Sequence, residues 1–316
     1  MNGEVLVRLE DVSKFYGDVL GVNRITLSVG SGITSLVGPN GAGKTTLLNL
    51  LAGLIRPTRG RVSVLGCTPE APHRYLVNIG YCTQYDSFPL RLTVGGFMRT
   101  QLALRGLPPA EAESRAARAL ARTGMSGAAD RALAACSKGM RQRVRLALAL
   151  AHEPRVLLLD EPLNGFDPLA RAEAAVLFRA LADEGRCLIV SSHILHEVDR
   201  LSDRVILMQN GYVVGDGSVA GVREELHEHP LQVLVCCDRP EWLAARLFAE
   251  QQVSEVRLTE SHNGAQGLLA RTREPSAFFL LLNQLAAAGE LAIETVAPVD
   301  ENLDAVYRLV IQKETA

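Results

Sequence analysis

The sequence predicts an α/β fold built on a doubly wound, mostly parallel sheet, and three stretches carry that expectation. The first is the stretch at residues 33–37, which reads as a short buried strand. It leads into Gly38-Pro39-Asn40-Gly41-Ala42-Gly43-Lys44-Thr45, and then into Leu47, Leu48, Leu50, Leu51 and Leu54 at helical spacing. The second is the apolar run at 156–159, followed directly by Asp160 and Glu161. The third, at 188–190, ends in Ser191-Ser192-His193. Continuous apolar runs of this length read as parallel strands buried on both faces. Ligands of such sheets bind beyond the carboxyl ends of the strands, where the polar residues of all three stretches fall.

Residues 5–12 and 25–29 alternate like strands, with a polar turn at Gly17-Asp18 between them. Tyr16 precedes that turn. It reads either as a half-buried packing residue or as an aromatic face for a flat ring.

The stretch at 38–45 fits G-x-x-x-x-G-K-S/T between a strand end and a helix N-terminus. Unpaired amides and the positive end of the helix dipole favour an anion there. Gly38, Gly41 and Gly43 let the backbone curl around a phosphate without Cβ clashes. Lys44 supplies charge for the β- and γ-phosphates, and the Thr45 hydroxyl can ligate Mg²⁺.

Residues 57–60 form a turn, 61–65 a strand, and 79–84 a short strand ending at Gln84. From 93 to 133 the pattern turns helical, with breaks at 106–109 and 124–127, and reads as an insert within the α/β domain. Asp160 is placed to hold the Mg²⁺ shell, and Glu161 to orient or deprotonate water. Arg141, Arg143 and Arg145 read as a solvated helix face.

The 316 residues leave room for two domains, and the net charge of −2 gives no support for nucleic acid as a partner. Glu4, Arg8, Glu10 and Asp11 interrupt any secretory signal in the first twelve residues. The most apolar window, 277–293, is broken by Asn283, Gln284 and Glu290 and reads as a packed helix rather than a membrane span. A chain soluble by itself is expected. Six cysteines without a C-x-x-C pair fit reduced thiols better than a metal site or disulfides.

A P-loop with an acidic strand would suit a GTPase, a kinase or a motor equally well, but no N-K-x-D guanine-reading motif occurs. Instead the ordered set of Tyr16, the P-loop at 38–46, Gln84, Cys136-Ser137-Lys138-Gly139-Met140, 156–161, Asn164-Gly165-Phe166-Asp167 and His193 resembles the ATP-binding subunit of ABC transporters. The resemblance covers about residues 5–218. It implies a P-loop NTPase cassette at 1–220, with a RecA-like core, an antiparallel β subdomain and a helical insert at about 88–135.

The same resemblance makes Tyr16 the adenine-stacking aromatic and Pro39, Asn40, Ala42 and Thr46 further members of the phosphate loop. Gln84 becomes the glutamine that touches the metal and links the site to the helical insert, so that Thr45, Gln84 and Asp160 would hold Mg²⁺, partly through water. Ser137 and Gly139 become the signature that closes over the γ-phosphate of the opposite subunit. Asp167 becomes the D-loop aspartate, and Glu161 with His193 the catalytic pair. The common signature is L-S-G-G-Q; here Cys136, Lys138 and Met140 depart from it, in a variant associated with exporter-type cassettes.

After a Gly-rich connection at 215–221 and a linking helix at 222–229, the pattern restarts as βαββαβ, a small α+β unit resembling a ferredoxin-like domain within 221–316. Residues 298–310 are similar to the tail of many drug- and lipid-exporter ATP subunits. Nothing in this region looks catalytic, and a regulatory or docking role is expected. The resemblance thus implies an ATPase using ATP and Mg²⁺, forming a homodimer. It would attach peripherally, through permease subunits, to the cytoplasmic face of the inner membrane and power export. A soluble ABC-type mechanochemical or regulatory ATPase without a transport role is the alternative.

Overall fold

Two strands and a two-residue turn begin the chain. β1 (Val7–Tyr16) and β2 (Val19–Val29) pair antiparallel through Gly17-Asp18, with Gly17 at φ 61°. Both strands run longer than their alternating patterns indicate. The reason is a set of register shifts: between Leu9 and Val12 the pairing slips, and Asp11 takes φ 49°, so the two-residue period breaks while pairing continues. β4 (Arg59–Val64) adds to the other side of β1, giving a three-stranded sheet ordered β2-β1-β4.

The computed structural model describes residues 4–85, 87–193, 201–202, 204–218, 231–260 and 266–298. The chain divides into two units, Met1–Val219 and Ala220–Ala316. The linking helix expected at 222–229 and residues 299–310 of the tail-like stretch lie outside the described residues.

The main sheet of the first unit uses β3 (Gly32–Val37), β5 (Ile79–Cys82), β6 (Val156–Leu159), β7 (Cys187–Ser192), β8 (Arg204–Gln209) and β9 (Tyr212–Ser218). Their order is β5-β6-β7-β3-β8-β9, parallel except for β9, which runs antiparallel to β8. All of β6 is buried, as its apolar run requires. Gly215 to Ser218, read in sequence as the start of a connection, instead belong to edge strand β9. A Cβ on Gly215 would stand 3.2 Å from the Leu207 side chain, so the glycine fits the ladder to its neighbour.

One apolar core fills the space between the two sheets and includes Leu47, Leu48, Leu50 and Leu51 of α1 (Lys44–Leu51), which follows β3. A second core lies under α6 (Pro168–Asp183), where Phe178 and Leu181 pack with Leu157 and Leu188 of the sheet. The helical insert has a third. α3 (Val94–Leu104), α4 (Pro109–Arg122) and α5 (Lys138–Leu150) share a core of Met98, Leu102, Ala116, Leu120 and Val144. Only a short helix, α2 (Pro72–Leu76), separates β4 from β5.

α5 belongs to two cores at once: Val144 and Ala147 face the insert, while Leu146, Ala149 and Leu150 join the sheet cluster. Its backbone comes very close to β5. A Cβ on Gly80 would stand 2.1 Å from the Ala149 carbonyl oxygen, so only glycine fits there.

The second unit is β10 (Leu231–Cys237), α7 (Pro240–Ala249), β11 (Glu255–Glu260), β12 (Gln266–Thr272), α8 (Pro275–Ala287) and β13 (Ile293–Pro298). The sheet order β11-β12-β10-β13, antiparallel throughout, is the ferredoxin-like arrangement. Val233, Val235, Leu243, Leu247, Phe278 and Leu282 form its core. Cys236 and Cys237 alternate across β10, and both are buried, free thiols.

Candidate nucleotide-binding site

The phosphate loop connects β3 to α1, and its last glycine makes the helix start possible. Gly43 is the N-cap of α1 at φ 102°, with no side chain competing for the free amides of the first turn. Lys44 is 6% exposed, and its Nζ donates to the carbonyls of Gly38 at 2.5 Å and Pro39 at 3.1 Å. Burial lowers its pKa, and the nearby Glu161 and Asp160 carboxylates oppose that fall. An open cavity of about 550 Å³ lies over the loop, lined among others by Tyr16, Lys44, Thr45, Gln84, Asp160 and Glu161.

The acids come from the end of β6. Thr45 Oγ1 donates to Asp160 Oδ2 at 2.9 Å, joining the first residues of α1 to this strand. Asp160 Oδ1 accepts from Ser191 Oγ at 2.6 Å, and that same hydroxyl accepts from the Glu161 backbone N–H at 2.8 Å. One buried serine on β7 therefore fixes both acidic positions. Glu161 takes φ 49°, left-handed for a residue with a side chain. Both its carboxylate oxygens lie 3.0 Å from His193 Nδ1, and Asn164 Nδ2 donates to Oε2 at 3.4 Å. Burial raises the Glu161 pKa, while the hydrogen bond and charge of His193, and then Lys44, pull it back.

Hard oxygen donors suit Mg²⁺, which takes few protein ligands and leaves the rest to water and phosphate. The Thr45 hydroxyl and Asp160 carboxylate, hydrogen-bonded at the cavity wall, are such a pair, so the residues present fit the ion.

The cavity thus gathers Tyr16, the loop at 40–46, Gln84, Asp160 and Glu161, with His193 behind Glu161. Tyr16 is about half exposed, with Lys14 Nζ 5.3 Å from its ring centre. Ser137, Gly139 and Asp167 do not line it. Ser137 caps α5, accepting from the Met140 amide at 3.2 Å, so that helix starts at Lys138. Asp167 caps α6 in the same way, accepting from the Ala170 amide at 2.8 Å. The first turn of α5 lies against the loop that leads into α6: a Cβ on Gly139 would stand 3.4 Å from the Gly165 carbonyl oxygen.

Sequence reasoning missed Ser191, which it named only as a strand end, and Asn164, to which it gave no role of its own. It also misjudged the arginines of α5. Arg143 donates to Thr123 O at 3.2 Å, pairs with Glu173 at 2.6 Å and stacks 5.6 Å from the Phe166 ring. Arg145 reaches the carbonyls of Thr83 and Gln84. Charge patterning along a helix does not reveal such contacts, because they depend on which loops the fold lays beside it.

Fold and site together define a P-loop ATPase. Residues 22–164 match the family model described as ABC transporter. The sulfate/thiosulfate import ATP-binding protein CysA of Thermosynechococcus vestitus is 36% identical over 72% of this chain and 68% of its own length. The Nod factor export ATP-binding protein I of Rhizobium johnstonii is 33% identical over 70% of this chain and 72% of its own. Among solved structures, an ATP-binding subunit of an ABC transporter superposes with a TM-score of 0.64 at 29% identity, covering 70% of this chain and 93% of that one. The chain belongs to the ABC transporter ATP-binding family, and it is an ATPase.

Proposed function

We propose that this chain hydrolyses ATP to power export through a separate membrane permease, working as a homodimer whose two sites are each completed by the partner's signature. Family membership supports the ATP-driven transport role. Export rests on the signature variant and on likeness to relatives such as the Nod factor export protein. Among the described residues no helix is long and apolar enough to cross a membrane, in keeping with attachment at the cytoplasmic face through permease subunits.

The observation that carries the reading is the Glu161–His193 contact at the wall of the phosphate-loop cavity. Glu161 accepts the proton of, or orients, the water that attacks the γ-phosphate in line. His193 holds that carboxylate from behind, and Ser191 holds its backbone. Lys44 turns from its own loop carbonyls to the β- and γ-phosphates, and Tyr16 stacks on the base. Held by Thr45, Asp160 and, partly through water, Gln84, Mg²⁺ would neutralise charge on the phosphate oxygens. Ser137 and Gly139 offer a hydroxyl, an amide and a helix N-terminus to the γ-phosphate of the facing subunit.

Glu161→Gln keeps the shape and removes the base. Turnover should fall at least about a hundredfold while ATP still binds. With Mg-ATP this variant should run as a dimer in size measurements, and as a monomer without nucleotide. Turnover like that of the wild type would remove Glu161 from its role. A strict monomer at saturating ATP would exclude the homodimer.

A further inference from the structure

Arg145 lies on α5, eight residues beyond the Ser137 cap. It is half-buried, and its guanidinium is spent on carbonyl groups of the nucleotide site's frame. Nη1 donates to Thr83 O at 2.9 Å and to Gln84 O at 2.6 Å, while Nη2 donates to Gln142 Oε1 one turn earlier. Gln142 is buried, and its Nε2 donates to Pro162 O at 2.7 Å, next to Glu161. Two side chains of one helix therefore grip the backbone on either side of the site. Arg145 holds Gln84, which lines the cavity, and Gln142 holds the turn that presents Glu161.

Arginine is suited to this position. Its planar fork offers donors in two directions at fixed geometry and remains charged at any working pH. Carbonyls that accept from a charged donor make stronger bonds than neutral pairs do. The segment held lies beyond the ladder, since β5 ends at Cys82 and Gln84 follows in a bend, where Thr83 Oγ1 donates to Tyr85 O at 3.0 Å.

We propose that Arg145, relayed by Gln142, is a positioning residue that locks the Gln84 segment and the Glu161 turn to the signature helix. Displacement of α5 then moves Gln84 and Glu161 in step. The proposal rests on the assignment of Gln84 and Glu161 to the ATP site and of Gln84 as its link to the insert, and it adds the two side chains, Arg145 and Gln142, that fasten that link to the helix carrying Ser137.

Arg145→Met keeps the aliphatic stem and removes the donors, and Arg145→Lys keeps the charge without the fork. Amide hydrogen exchange, steady-state hydrolysis and binding of a fluorescent ATP analogue are measured on the full chain. In Arg145→Met, the amides of Asp160, which donates to Cys82 O at 2.9 Å, and Asn164, which donates to Glu161 O at 3.1 Å, should exchange about tenfold faster while those of α6 do not change. The kcat should drop about tenfold with nucleotide affinity within about threefold, and Arg145→Lys should recover part of the loss. A purely structural arginine would lower the melting temperature without that split between kcat and binding. Unchanged exchange at Asp160 and Asn164, or kcat within about twofold of wild type, overturns the proposal. If the wild-type chain itself hydrolyses no ATP, the reading of the site fails, and exchange at Asp160 and Asn164 still decides whether Arg145 is the lock.

Discussion

Glu161 must carry a negative charge where its surroundings favour a neutral group. Burial raises its pKa above the ordinary 4.5, more than His193 and Lys44 lower it. An acid with a raised folded pKa adds stability below its unfolded value, and that stability is lost as pH rises through the folded value. At neutral pH the Glu161 carboxylate is thus a cost to the fold, as groups held ready for chemistry often are. Glu161→Gln should therefore melt higher than wild type near pH 7.5, with the gap closing below about pH 4.5. A lower melting temperature at neutral pH would mean that His193 and Lys44 outweigh burial. His152 acts in the opposite sense. It is buried, its Nε2 lies 2.9 Å from the Ile79 carbonyl, its Nδ1 has no partner among the described residues, and burial together with Arg105 brings its pKa from 6.5 to about 4. A histidine with a depressed pKa gives stability that is complete above about pH 6.5 and lost as pH falls through about 4. One proton taken up on unfolding gives a slope of about 1.4 kcal/mol per pH unit in that window. Urea unfolding of His152→Leu across it should show a flatter decline, and an unchanged slope would locate the acid sensitivity elsewhere.

At the scale of elements, α5 is the part on which most of the site depends. Ser137 caps it, packing binds it to two cores, and Gln142 and Arg145 grip the loops. Ser137 therefore has a structural role separate from the γ-phosphate contact proposed for it. Ser137→Ala should cost about 1 kcal/mol of stability, the usual value of a serine cap. Ser137→Asp keeps the cap but sets a negative charge where a phosphate should dock. Near-wild-type stability with hydrolysis lost in Ser137→Asp would separate the two roles. Hydrolysis retained in that variant would remove Ser137 from the composite site. The contiguous motifs were legible in the sequence because local chain geometry suffices for them: a glycine loop between strand and helix, or acids directly after an apolar run. Ser191 was not legible, because its role exists only once β6 and β7 lie side by side and bring its hydroxyl to Asp160. Strand β9 escaped because its Gly-Asp-Gly-Ser stretch carries turn chemistry, and pairing with β8 overrides that local preference.

Each half of the whole molecule carries a core of its own. In Met1–Val219 three clusters surround the sheets and the insert, and every residue assigned here to ATP falls within it. In Ala220–Ala316 the four-stranded sheet and its two helices bury a separate apolar cluster. A shortened chain of residues 1–218 should consequently fold and bind ATP through Tyr16 and the phosphate loop. The ferredoxin-like unit has the size and independent core of an appended regulatory or docking module, and such a module acts by contacting one state of its neighbour better than another. Losing it should leave basal hydrolysis within about threefold while weakening the nucleotide-driven dimer or the response to the permease. Melting, nucleotide binding, and hydrolysis with and without permease in vesicles separate the outcomes. Insoluble protein without ATP binding would make the second unit a structural cover. Hydrolysis that no longer responds to permease would make it regulatory, and full transport by residues 1–218 would exclude both roles.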